Sequence, residues 1–224
     1  MDTLVTLIYS AIKYTILLRE VKQYEAQKHI RDLKDKFFAS RIKNIHSEMR
    51  NPFMLLGGSS LGVETFIENN ELTNSEISFL KKQVNYFKQG AANIFDSIEA
   101  LDIASDEFMT IQALMKKIKI LLNADIIKNK VEIIENLPNT YSIIDLQEGY
   151  IPFVISKVLI ELISIGNKNI ELKCEITDNI VKLIIKPELK ECDMSGEIYS
   201  LFEICKNVEL YKDFELYIIE LKVQ

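Results

Sequence analysis

The sequence is short of positive charge, of cysteine and, in its second half, of glycine, and each shortage excludes something. Twenty-seven basic residues stand against 33 acidic ones, a net charge of −6, with no long basic run. Proteins that bind a phosphate backbone present a basic face, so no nucleic-acid partner is expected. The three cysteines, Cys174, Cys192 and Cys205, show no C-x-x-C spacing and no neighbouring histidine. That argues against a disulfide framework and against a zinc or other metal site, and for a reducing, cytoplasmic compartment. After Gly166 the only glycine is Gly196, which leaves no glycine-rich loop to bring backbone N–H groups close to phosphates. Long apolar runs are missing too. Residues 4–18, LVTLIYSAIKYTILL, carry Lys13 in the middle and fall short of the ~20 residues a membrane span requires. They also lack a small-residue cleavage pattern, so they read as a buried or dimerising helix rather than a membrane segment.

What is present is the composition of a globular chain: 224 residues, 48% apolar and 27% charged, enough for one or two domains with real cores. From residue 4 to about 66 only Pro52 interrupts a helical pattern. A charged connector carries Ile30, Leu33 and Phe37 at steps of three and four. The seam resumes at Ile42 with Ile45, Met49, Leu56 and Val63, so the step from Phe37 to Ile42 predicts a slip of phase. An Asn-rich turn at 68–73 precedes the cleanest pattern in the chain. Ile77, Leu80, Val84, Phe87, Ala91, Ile94, Ile98 and Leu101 alternate steps of three and four. Two long helices with narrow stripes cannot fill a core alone, which predicts an antiparallel hairpin paired with a second copy as a four-helix bundle.

After Leu101 the texture changes. An amphipathic helix is expected over 111–127, strands over 131–135 and 141–145, and a helix over 152–164 with Pro152 in its first turn. A hairpin over 169–186 turning at Thr177, Asp178 and Asn179, a helix over 197–207 and a strand over 214–223 complete the chain. The fold class is therefore α+β, a long helical hairpin followed by a layer sandwich with helices on one face of a mixed sheet. The divisions are a connector at 1–40, a dimerisation hairpin at 41–105 and a second domain at 106–224.

Within the first long helix, residues 41–58 read RIKNIHSEMRNPFMLLGG. Glu48, Met49, Arg50, Asn51 and Pro52 resemble the phosphoacceptor box of sensor histidine kinases, where a histidine precedes an acidic residue, an apolar one and Arg-Asn-Pro. Counting back from Pro52, Ser47 stands where that family places its histidine, and His46 lies one residue early. The order of elements is similar to the family's whole catalytic core, connector through hairpin to ATPase-type domain. Residues 4–27 resemble the last helix of a sensing domain, which implies a sensor upstream.

The resemblance also marks what has been lost. Residues 158–168, VLIELISIGNK, stand against the family's asparagine box V-L-x-N-L-x-x-N-A-x-K. Glu161 and Ile165 replace the two asparagines and Lys168 is kept. Mg²⁺ takes oxygen ligands, so Ile165 deletes one. With no D-x-G-x-G or G-x-G-L segment, the resemblance implies a degenerate nucleotide site and no cofactor. It implies a response-regulator receiver domain as partner, docked through Ser47, Arg50, Phe53 and Met54. His46 would be the phosphoryl carrier, Glu48 a proton acceptor and Asn51 the residue that orients water in a phosphatase reaction. Against these stand plain readings: His46, Arg50 and Asn51 as solvated helix residues, and Glu161 as a satisfied surface carboxylate. The competing function is a pseudokinase scaffold that sequesters a response regulator or pairs with a true histidine kinase. His29, in the charged connector, reads as a surface residue.

Overall fold

The computed structural model describes residues 2–67, 74–101, 103, 108–138, 143–147, 149–177, 180–189, 193–203, 205 and 208–222. The chain divides into two compact units, Met1–Phe37 and Phe38–Gln224. The first belongs to α1 (Asp2–Ile67), and on it Ile12, Tyr14, Leu17, Val21 and Tyr24 are exposed. No helix among the described residues is long and apolar enough to cross a membrane.

Helix α1 runs on through Pro52, whose missing N–H leaves one carbonyl without its helical partner. Its buried positions, Ile30, Lys34, Phe38 and Ile45, follow one another at helical spacing, with Arg41 half-buried between the last two. The expected phase slip between Phe37 and Ile42 is therefore absent. The sequence offers two adjacent phenylalanines, and Phe38 rather than Phe37 takes the covered position, which keeps the steps at three and four. Helix α2 (Asn74–Leu101) carries the second seam, but Ile77, Val84, Phe87 and Ile98 are exposed along it, and among its described side chains only Ile94 is buried.

The C-terminal lobe is α+β. After β1 (Phe108–Thr110) come α3 (Ile111–Leu121), α4 (Asn123–Asn129), β2 (Glu132–Asn136), β3 (Ile143–Asp145) and α5 (Tyr150–Ile165). They are followed by β4 (Asn169–Thr177), β5 (Ile180–Pro187), α6 (Gly196–Phe202), β6 (Val208–Asp213) and β7 (Leu216–Lys222). Five strands form one sheet in the order β2-β4-β5-β7-β6, parallel between β2 and β4 and antiparallel elsewhere, while β1 and β3 pair separately. Alternation decides the faces. Ile170, Leu172, Val181, Leu183, Ile185, Ile219 and Leu221 are buried on one side. On the other side Lys182 pairs with Glu220 at 2.6 Å and Lys186 with Glu171 at 3.3 Å, as cross-strand neighbours. Hydrogen bonding to Glu220 raises the Tyr211 phenol above its ordinary range on the same face.

Helix α5 supplies the other half of the core. Residues 151–156, 158, 159, 162 and 163 are all buried, and α3 packs on it with Ile111, Leu114, Met115 and Ile118 fully covered. Gly149 and Gly166 bound α5 at φ 82° and 110°, left-handed values that favour glycine.

Several expectations need correction. The single helix over 111–127 is two, because Leu122, fully buried, leaves the helical register between α3 and α4. The last helix stops at Phe202 rather than 207, and β6 occupies the next segment. The strand expected from Phe214 begins at Leu216, because Phe214 takes φ 53° in the turn. Both β1 and β6 were unexpected: each is short, and β6, VELYKD, is an edge strand whose charges mask its alternation.

Ser156 is fully buried in α5 and its hydroxyl has no hydrogen-bond partner. An orphaned buried hydroxyl is a cost of about 1 kcal/mol or more, so Ser156→Ala is expected to hold or raise the stability measured by urea unfolding. Leu183→Ala, which empties a fully buried position, is expected to lower it by about 2–5 kcal/mol.

Candidate functional site

Two stretches carry the chemistry anticipated from the sequence: the outward side of α5 and the box in α1. With its remaining positions committed to the core, α5 offers only Tyr150 at its start and Lys157, Ile160, Glu161, Ser164 and Ile165 to the outside. Of these, Lys157, Glu161 and Ser164 are engaged by the chain itself. The Glu161 carboxylate accepts from the Ser195 hydroxyl at 2.9 Å and from the Ser195 N–H, at the N-cap of α6. A carboxylate there satisfies a backbone donor that the helix start leaves over. Lys157 lies 3.9 Å from Glu197 in the first turn of α6. The Ser164 hydroxyl donates to the Glu161 carbonyl at 2.8 Å.

Ile165 ends the helix, 40% exposed, and an aliphatic side chain can neither ligate a cation nor accept a hydrogen bond. Lys168 donates its ammonium to the Asn129 carbonyl at 2.6 Å, and its N–H reaches the Glu188 carboxylate at 3.2 Å. Asn167, between them in sequence, was not singled out from the sequence. It is fully buried, its amide nitrogen donating to the Leu162 carbonyl at 2.9 Å and its oxygen accepting the Leu189 N–H at 2.8 Å. The signal was the Gly-Asn pair closing an apolar helix, where a side chain is needed to satisfy the last carbonyls.

In α1 the side chains of His46, Ser47, Glu48 and Asn51 lie outside the described residues, while their backbone is helical. Arg50 is exposed, and so are Phe53 at 57% and Met54 at 67%. Gly57 and Gly58 follow, exposed, with nothing within 4 Å of where a Cβ would sit. Positions 50, 53, 54 and 57 share one helix face, and positions 46 and 47 precede Arg50 by four and three residues, the spacing of that face. The structure thus brings Arg50, Phe53 and Met54 together on an open surface. Glu161 and Ile165 lie apart from them in the C-terminal half of α5, and Lys168 follows the helix with its ammonium on the Asn129 carbonyl.

No protein-family model matches the chain, and no curated protein matches it. Among solved structures 138 chains match. One is the histidine kinase AdeS of Acinetobacter baumannii, at 14% identity over 79% of this chain and 96% of that one, with a TM-score of 0.41. Another is the histidine kinase ThkA in complex with the response regulator protein TrrA, at 14% identity, 81% and 60% coverage and a TM-score of 0.42. Full-length ShkA in complex with AMPPNP matches at 11% identity, with 81% and 46% coverage and a TM-score of 0.41. AdeS and ThkA are histidine kinases. Identities and TM-scores this low describe a shared arrangement of elements and assign the chain no activity.

The donor set does not suit a magnesium nucleotide. Among the described residues no cluster of three His, Cys, Asp or Glu side chains gathers that could hold a metal ion. The one carboxylate on the outward side of α5 is occupied by Ser195. The thiols offer no alternative chemistry. Burial, aided by the Glu175 charge, pushes Cys174 up to about 11, and burial pushes Cys205 up to about 11, so both stay protonated at neutral pH. Cys192 lies outside the described residues.

Mg-ATP at millimolar concentration is expected to leave the melting temperature unchanged, since a ligand stabilises only the state it binds. Glu161→Ala is expected to cost about 1 kcal/mol in urea unfolding, through release of the α6 N-terminus.

Proposed function

We propose that this chain is a degenerate histidine-kinase-like signalling protein of a two-component or phosphorelay pathway, whose stem docks a response-regulator receiver domain. The observation that carries this reading is the exposed set Arg50, Phe53 and Met54, directly within and after the Glu-Met-Arg-Asn-Pro box. Apolar side chains on the open face of a helix, beside a guanidinium and two glycines, are what an interface needs at its centre. The chain works without nucleotide, because the outward residues of α5 hold its own backbone together. The stem acts as a homodimer. Its support is the exposed seam of α2, where Ile77, Leu80, Lys81, Val84 and Asn85 line a groove of about 450 Å³ that a neighbouring helix would fill. The division into connector, hairpin and second domain follows the same reading.

In this account His46 exchanges a phosphoryl group with the receiver. The P–O bond to the receiver's aspartate breaks as a P–N bond to the imidazole forms, and the ring proton passes through solvent, with Glu48 as the carboxylate that accepts it. Asn51 orients water where the phosphoryl group is hydrolysed instead. A second reading is favoured by the displacement of His46 by one residue, about 100° of helix rotation. In it the chain binds the receiver, or pairs with a true histidine kinase, and transfers nothing.

The test mixes a radiolabelled, phosphorylated receiver domain with the full chain. Acid-labile label on the chain that vanishes in His46→Ala is the expected result, and receiver binding without label establishes the scaffold instead. In either case Phe53→Ala is expected to weaken receiver binding about tenfold. Unchanged binding in that variant and in Met54→Ala counts against docking at this face.

A further inference from the structure

Helix α4 is a short element held between two ties. The Arg41 guanidinium of α1 donates to the Asp125 carboxylate in its first turn, joining positions 84 residues apart. At its other end the Lys168 ammonium donates to the Asn129 carbonyl at 2.6 Å, a cation at a helix C-terminus where carbonyls lack helical partners. None of the residues of α4 is buried, so apolar packing holds it less firmly than it holds α3 or α5. The Arg41 and Asp125 side chains are only 13% and 29% exposed, against 54% and 56% for the surface pair Lys186 and Glu171. Shielding from solvent makes the first pair the stronger tie. It also lies on the covered face of α1, with Phe38 and Ile45 buried one turn to either side.

We infer that the Arg41–Asp125 pair is an ionic latch that fastens the C-terminal lobe to the stem helix through α4. Closed, it holds α1 at a point five residues, about 7.5 Å of helix rise, ahead of position 46. The latch thereby sets how the stretch from 46 to 54 is presented to whatever docks there. It requires no phosphoryl chemistry and no receiver, so it stands or fails independently of the function proposed above.

Hydrogen exchange of the full chain, read by mass spectrometry, tests it. In Arg41→Ala and in Asp125→Asn, amides at 38–45 and 123–129 are expected to exchange at least tenfold faster, while β4, β5 and β7 keep wild-type rates. The charge-exchanged variant Arg41→Asp/Asp125→Arg is expected to recover slow exchange at both segments, which a purely steric loss would not allow. Wild-type exchange at 123–129 in both single variants overturns the latch, as does failure of the exchanged pair to recover. Faster exchange throughout the sheet in the single variants overturns it as well, since the pair would then support the whole fold rather than one junction.

Discussion

The burial of α5 governs the lobe. A helix with its residues 151–156, 158, 159, 162 and 163 covered is the apolar layer against which α3 and the inner sheet face close, and at roughly 1.5–3 kcal/mol for each large side chain no other element contributes as much. That commitment leaves only six positions of α5 outside. Three of them, Lys157, Glu161 and Ser164, are spent on the chain's own ion pair and hydrogen bonds, and the others are Tyr150 and two isoleucines. That outward side is a structural seam, and α6 is sewn to it.

The stem is built on the opposite principle. Its apolar side chains at Phe53, Met54, Ile77, Val84 and Phe87 are left exposed. Arg41 of α1 and Asp125 of α4 pair part-buried charges between stem and lobe.

Much of this was legible in the sequence, and the misses have causes. The heptad run of α2 and the alternation of β4 and β5 came through because one strong periodicity ruled each of them. Pro152 placed the start of α5 to within two residues, while the left-handed glycines that bound it, Gly149 and Gly166, were not read as its ends. Leu122 misled, because a buried leucine at helical spacing looks the same whether the helix continues or breaks. Phe37 and Phe38 misled in the same way, since either satisfies the pattern and only packing chooses. Edge strand β6 stayed hidden behind its charges. At the candidate site, that the Ile165 side chain offers no oxygen to a cation follows from residue type alone. What Glu161 does instead does not, because its partner Ser195 is 34 residues away and no spacing rule links them. Arg41 and Asp125 were invisible for the same reason at greater separation.

The most direct measurement of the account is hydrogen exchange along the full chain, with and without a saturating receiver domain and, separately, Mg-ATP. Slower exchange confined to the stretch from 46 to 58 on adding the receiver, with no nucleotide-dependent change at 157–168, is the predicted outcome. Protection at 157–168 by Mg-ATP, or an unprotected stem across a panel of receiver domains, would contradict it.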